Sequence, residues 1–469
     1  MNTLNRREAI ALLLAAPAVP YSLGDDAGEW ITLLDDQPPH GSELGTRPFS
    51  VIASPRKQDF KNFELSADAM TRRGANTGIC FHVDLKHPEA CLEVRINNSD
   101  KADNRKTGSL VGLRNVYKSF LYDNEWFNLN IQVRDTGVQV RLNDMLVVDY
   151  TQSNPLFQSD PACDRTLSHG AFAIKNNGPA ETRFRNIRVR PLPDNLSARQ
   201  APQPLDEIDR EIIRLGHENF PVVDYHVHLK GGLTLEQALS NSRRLGIGYG
   251  IAINCGLNFP VHDDASVNDY LATMKGQPCY VALQGEGREW MTFTSPESIA
   301  RFDYCFTDAM TFRDPSGFRR RLYVENEMGD LSDPLAFMEM YVARIEGVMK
   351  EPIDIYANPT FLPLPLRARY DALWTPARMK RVIDAAIEND VAIEINNRYR
   401  IPGPTFIKAA RAEGAKFSFG TNNAEAELGR IEYAIEMVRE CSLTWNDIFV
   451  PKPDGRKPIQ VKKWHMTGE

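Results

Sequence analysis

The chain has 469 residues, too many for one hydrophobic core of ordinary size, so two or three domains are expected. Hydrophobic residues make up 42% and charged residues 25%, a globular mixture, and the net charge of -7 comes without any clustered Lys and Arg tract. Neutralising a phosphate backbone needs such a tract, so nucleic acid is not an expected partner.

The first residues, "MNTLNRREAIALLLAAPAVPYS", carry Arg6-Arg7, an apolar run from Ala9 to Ala18, and then small residues. A charged start, a short apolar core and a cleavage zone predict an export signal over residues 1–25, similar to a twin-arginine signal. The apolar run is too short to span a bilayer, so no integral membrane segment is expected once the signal is removed. The expected location is periplasmic or extracellular. Seven cysteines (Cys80, Cys91, Cys163, Cys255, Cys279, Cys305 and Cys441) lie scattered in apolar settings without a CxxC, which reads as buried small hydrophobes rather than a disulfide framework.

Residues 28–193 have period two. "NFELSADAM", "GICFHVD", "CLEVRIN", "WFNLNIQVRDTGVQVRLNDMLVVDY" and "TRFRNIRVRPL" alternate apolar with polar residues and are punctuated by Asp, Asn and Gly. Strands without intervening helices predict an antiparallel all-β sandwich. A polar, proline-bearing linker, residues 194–208, follows.

From 209 to 469 short β-branched or aromatic runs alternate with helical stretches. The runs are "PVVDYHVHL", "YGIAIN", "CYVALQ", "FDYCFT", "IDIYAN", "VAIEIN" and "KFSFG"; helical spacing marks "TLEQALSNSRRLG", "PARMKRVIDAAIEND" and "AELGRIEYAIEMVREC". This alternation predicts a parallel α/β sheet, closed as a seven-stranded βα barrel or open and doubly wound, and no GxGxxG supports a dinucleotide fold. In a barrel the chemistry gathers at the carboxyl ends of the strands. Those ends carry His226 and His228, Asn254, Glu286, Asp308, Asn358, Glu394 with Asn396, and Thr421 with Asn422. Residues i and i+2 of a strand share a face roughly 6.6 Å apart, so His226 and His228 can converge on one ion. Glu286 and Asp308 are the next candidate ligands, followed by Glu394, with Asp224 a candidate to orient a ring from behind. The ion would be one divalent metal, Zn, Mn or Mg. The amides Asn358, Asn396 and Asn422 suit hydrogen bonding to a sugar as well as turn formation.

The second half resembles the polymerase and histidinol phosphatase (PHP) superfamily and, more loosely, the amidohydrolases. That resemblance implies a distorted seven-stranded βα barrel binding up to three metals. "HVH" matches its first element, Glu286 in "ALQGEG" its carboxylate, "YANPTF" the place of its "HP" element and "FGTNNAE" that of its last. Asn358, Asn422 and Ala424 stand where His, Asp and His are expected, and "NCG" replaces Thr-Asp-His. Amides are weak ligands and no bases, so the resemblance implies one metal or none.

The first half resembles the 3-keto-disaccharide hydrolase-like family, of concanavalin-like sandwich architecture, through "FKNFELSADAM", "GANTGICFHV", "CLEVRIN", "KTGSLVG" and "GAFAIKNNGPAETRFRNIRVRPL". It implies sugar handling at Asn76, Glu93, Thr107 and Asn143, while Lys175 and Asn177 replace the family's Gln and His. Together these readings predict an exported hydrolase or lyase acting on a glycoside, a 3-keto sugar, with Glu394 and Asp308 as catalytic carboxylates. A sugar-binding module on a catalytically degenerate barrel and a PHP-type phosphoesterase, with Arg288, Arg398 and Arg400 as its cationic cluster, are the alternatives.

Overall fold

The computed structural model describes residues 28–34, 48–52, 59–88, 91–159, 166–314 and 316–462, so residues 1–25, where an export signal is expected, and Cys163 lie outside the described residues. The chain divides into two compact units. The first runs through Val222 and takes in Leu235–Gly248 and Gly276–Pro278; the second takes Val223–Thr234, Tyr249–Lys275 and the chain from Cys279 onward.

Among the described residues the first unit contains β1 (Ile31–Leu34), β2 (Phe49–Ile52), β3 (Phe63–Thr71), β4 (Thr77–Val83), β5 (Leu92–Ile96), β6 (Phe127–Arg134), β7 (Gly137–Leu142), β8 (Met145–Thr151), β9 (Ala171–Asn176) and β10 (Thr182–Pro191). They make a six-stranded sheet, β1-β10-β3-β6-β7-β8, and a four-stranded sheet, β2-β9-β4-β5. The two sheets share one core because alternate side chains of both point inward. Leu65, Ala67 and Ala69 of β3 and Leu129, Ile131 and Val133 of β6 meet Ile79 and Phe81 of β4 and Leu92, Val94 and Ile96 of β5. Edge-to-face contacts among Phe63, Phe81 and Phe172 tie the layers. The intervening residues of β5, Glu93 and Arg95, stand on the opposite face and are buried there as well.

The second unit is a closed parallel barrel of β11 (Val223–Val227), β12 (Gly248–Cys255), β13 (Tyr280–Gly285), β14 (Tyr304–Thr307), then, past a hairpin of β15 (Thr311–Arg313) and β16 (Arg319–Arg321), β17 (Ile355–Tyr356), β18 (Ala392–Asn396) and β19 (Phe417–Gly420). The seven predicted runs are these seven barrel strands. Their connections include the helices Asp264–Met274, Pro334–Val348, Pro376–Glu388 and Pro404–Ala412. Local chemistry starts two of them: Asp333 accepts from Leu335 N and Ala336 N, Thr375 accepts from Arg378 N, and a proline opens each first turn. A helix over Glu207–His217, capped by Asp206, begins inside the stretch read from sequence as linker.

Aromatic rings fill the barrel between Tyr225, Tyr280, Tyr304 and Phe449. Tyr304 Oη donates to Tyr225 O at 2.6 Å, and Tyr225 Oη donates to Phe449 O at 3.1 Å. Gly250 lies against this cluster, and a methyl group there would overlap Tyr304 Oη. Gly250→Ala is therefore expected to displace the Tyr304 hydroxyl and cost about 3 kcal/mol, from overpacking plus a lost buried hydrogen bond. Denaturant unfolding of the variant beside Tyr304→Phe, expected to lose about 1 kcal/mol, checks it.

Candidate functional site

The carboxyl ends of the barrel strands carry a buried polar network. It starts at β11, where His226 and His228 are each 2% exposed and their ring centroids lie 5.1 Å apart. His226 Nδ1 meets Glu394 Oε1 at 2.6 Å, and His228 Nδ1 meets Ala252 O at 3.2 Å. A carbonyl only accepts, so the His228 proton sits on Nδ1 and Nε2 keeps a lone pair. Burial, with the nearby His226, holds the His228 ring neutral, well below the usual histidine range. Both Nε2 atoms are buried and make no hydrogen bond, and Gln284 reaches toward the His228 ring. The chain leaving β11 is clamped by Asn423, whose side chain accepts from His228 N at 2.8 Å and donates to His228 O at 2.9 Å.

Glu394 of β18 was expected to act as a base, but the structure occupies both its oxygens. Besides the imidazole, Oε2 accepts from Asn358 N at 2.7 Å and Asn396 Nδ2 at 2.9 Å, which makes Glu394 the residue that orients His226. Asp224, expected behind a ring, instead accepts from His226 N, Thr421 N and Thr421 Oγ1; burial pushes its carboxyl up to about 6. Asn358 is the hub of the amides. Its Oδ1 accepts from Asn396 and Asn422, and its Nδ2 donates to Asp308 Oδ2 at 2.9 Å. Its φ of 50° and the 47° of Asn422 are left-handed values that asparagine tolerates, so these two serve the turns as well as the network.

Two carboxylates remain. Asp308 accepts from Met310 N and Asn358 Nδ2, and Glu286 accepts from Asn254 Nδ2 at 2.6 Å. Burial pushes Glu286 up to about 7, reinforced by the charge of Asp308, and burial pushes Asp308 up as well. Such a pair holds a proton near neutral pH, which is the condition for general acid–base chemistry. Arg288, considered for a phosphate cluster, is paired with Glu351 and donates to Asp308 O at 2.9 Å, so it positions the strand end. Arg400 pairs with Glu436 at 2.6 Å. Asn254 was read at its strand end without a role. Gln284, Glu351 and Asn423 carried no signal in the local pattern.

The expected metal ligands lie at three strand ends, His226 and His228 at β11, Glu286 at β13 and Asp308 at β14, with β12 between the histidines and the carboxylates. Among the described residues no group of three or more His, Cys, Asp or Glu side chains is arranged to hold an ion. The two free Nε2 atoms are nitrogen donors, but a resident divalent ion takes three or four protein ligands. The donor set therefore falls short of a resident divalent site.

In the sandwich, Glu93 folds over Gly78, where any Cβ would strike its carboxylate. It accepts from Asn177 Nδ2 at 3.0 Å and Lys175 Nζ at 3.3 Å and sits 3.1 Å from Arg95 Nη1. Arg95 donates to Asn76 Oδ1 at 2.8 Å, and Asn76 Nδ2 donates to Asp100 and Asp103. The structure thus brings Asn76 and Glu93 together with the substituted positions Lys175 and Asn177. Thr107 is turned to other work: its hydroxyl accepts from Asn97 N and donates to Asn98 Oδ1. Asn143 belongs to the other sheet, at the tight turn between β7 and β8, with φ 45° and its side chain accepting from Asn128 N. It does not join Glu93.

Residues 36–190 match the model of the 3-keto-alpha-glucoside-1,2-lyase-like domain. Solved structures similar to the chain include two candidate glycosyl hydrolases of Parabacteroides distasonis. One is 17% identical over 29% of this chain and 72% of the other, with a TM-score of 0.25; the second is 19% identical over 35% and 100%, with a TM-score of 0.27. The carbohydrate binding module CBM66 of Bacillus subtilis is 16% identical over 34% and 95%, with a TM-score of 0.23. No protein of curated function matches the chain. No helix among the described residues is long and apolar enough to cross a membrane.

The raised Glu286 carboxyl fixes a sign for stability. Its proton is held more tightly in the folded than in the unfolded chain, so its contribution is complete below about 4.5 and is lost as pH rises through about 7. The slope is at most about 1.4 kcal/mol per pH unit. Glu286→Gln should flatten the decline of unfolding free energy between pH 5 and 8, measured by denaturant titration; a wild-type slope retained in the variant contradicts the assignment.

Proposed function

We propose that the chain is a carbohydrate-active enzyme whose barrel mouth performs acid–base chemistry on a glycoside, with a 3-keto sugar as substrate. The observation that carries this is the Glu286–Asp308 pair, which shares a buried mouth with two imidazoles. The family match of the first unit supports a sugar as the substrate, and its Asn76–Arg95–Glu93 face is the proposed holding surface.

A ketone at C3 makes the proton at C2 acidic. The ionised member of the carboxylate pair takes that proton, the C1–O bond breaks, and the protonated member returns a proton to the departing oxygen. The product is an unsaturated keto sugar, to which water can add. The Nε2 lone pair of the neutral His228 suits accepting from a sugar hydroxyl, and the amides Asn254, Asn358, Asn396 and Asn422 suit sugar hydroxyls as well.

Glu286→Gln and Asp308→Asn are each expected to lower turnover of a 3-keto-glucoside by about a hundredfold or more. Glu93→Gln is expected to weaken sugar binding by the first unit about tenfold, read by isothermal titration. Wild-type turnover by Glu286→Gln removes this carboxylate from the chemistry and overturns the barrel-mouth reading, whereas no turnover by the unaltered chain leaves a sugar-binding protein.

A second reading keeps one divalent metal on Nε2 of His226 and His228, and the observation favouring it is that both atoms are buried without a hydrogen bond. Elemental analysis of the purified full chain distinguishes the readings: a stoichiometric divalent metal, lost in the His226→Ala/His228→Ala double variant, establishes the second. Export through the first 25 residues belongs to the same proposal and is read from the N-terminus of the mature protein in cell fractions.

A further inference from the structure

Two cations reach the rim of the barrel from different turns, and what they could bind deepens the barrel-mouth reading on which this inference rests. Lys230 lies two residues beyond His228, in a turn closed by Leu233 N donating to Lys230 O at 3.0 Å. Gly231 holds this turn with φ 62°, and a Cβ there would lie 2.6 Å from Glu425 Cα, so the turn has little freedom. Arg398 lies two residues beyond Asn396, in a turn closed by Asn396 N donating to Ile401 O at 2.7 Å and by Tyr399 N donating to Asn396 Oδ1 at 2.9 Å. Its guanidinium stands 5.3 Å from the Tyr399 ring centroid, with Nη1 3.4 Å from Asn422 O. Asn422 in turn donates to Asn358, and Asn358 to Asp308. Arg398 is therefore one chain of amides away from the carboxylate pair.

Three other arginines of this unit are ion-paired. Arg400 pairs with Glu436, Arg288 with Glu351, and Arg430 with Glu432. Arg367 is laid across Phe361 and Tyr399. Lys230 and Arg398 are exposed, and neither is ion-paired with a carboxylate among the described residues. Desolvation at its turn lowers the Lys230 ammonium from its ordinary range, while Glu286 favours its charged form and Arg398 disfavours it. Two cations without carboxylate partners, each on a constrained turn at the barrel rim, attract an anion there.

We infer that Lys230 and Arg398 form an anion subsite at the barrel mouth, taking the carboxylate or phosphate group of an acidic sugar. The guanidinium offers a planar fork to two oxygens and the ammonium a point charge to the same group. With its anion on the rim, the sugar ring extends over Asn422 and Asn358 toward Asp308 and Glu286.

Isothermal titration of the full chain with glucose, glucuronate and glucose 6-phosphate tests this. One acidic sugar is expected to bind at least about tenfold more tightly than glucose, and the Lys230→Met/Arg398→Gln double variant to remove that preference. The acid that binds names the anion, and Lys230→Arg, which keeps the charge, is expected to retain the preference. Equal binding of the three sugars, or an acidic preference that survives in the double variant, overturns the inference. The acid–base reading fails independently, through full turnover by Glu286→Gln, even with the anion preference intact.

Discussion

The candidate site depends on one buried carboxylate, that of Glu394. It binds the imidazole of His226 on β11, the backbone of Asn358 after β17 and the side chain of Asn396 at the end of β18. A buried carboxylate without partners costs several kcal/mol, so these three donors are what permit it to lie 1% exposed inside the barrel. Gly420 on β19 belongs to the same arrangement, because a Cβ there would strike Glu394 and come within 2.7 Å of His226 Cβ. Three strand ends are tied through one side chain and a fourth is kept bare for it.

The other carboxylates differ from Glu394 in how far their charge is satisfied. Asp224 receives three donors and is still pushed up by burial, whereas Glu286 receives one amide and faces Asp308. Desolvation exceeds the stabilisation from a single neutral hydrogen bond, so Glu286 retains a proton near neutral pH. The asymmetry separates fully partnered carboxylates from sparsely partnered ones more clearly than residue type does. The sandwich handles the same problem by charge pairing: Glu93 and Arg95 alternate with core residues on β5 and are buried against each other with Lys175, Asn177 and Asp103 around them. Both units thus carry a polar cluster next to, but not within, the apolar core.

Much of the architecture was legible in the chain itself. Period-two alternation exposed β3 to β8 and β10, because one face of each strand is apolar and the other is not. The seven β-branched and aromatic runs marked the barrel strands, since strands buried on both sides read as continuous apolar segments. Pattern reading missed β1, β2 and β9 and the helices Asp264–Met274, Pro404–Ala412 and Pro334–Val348; in the last, buried Phe337, Met338, Tyr341 and Val342 are flanked by further apolar residues and so show no clean stripe.

Residue types alone determined that His226, His228, Glu286, Asp308, Asn358 and Glu394 would stand at strand ends, because strand position follows from local pattern and a barrel gathers those ends. They did not determine what each would do. Glu394 became the partner of His226 and Asp224 the partner of Thr421 through contacts 168 and 197 residues apart in the chain, and no local spacing encodes such pairings. Asn143 matched a family position but took a turn on the other sheet, whereas Lys175 and Asn177, departures from the pattern, lie directly on Glu93. Proton affinity was likewise a tertiary outcome, since it depends on how much water and how many donors the fold leaves around each carboxyl group.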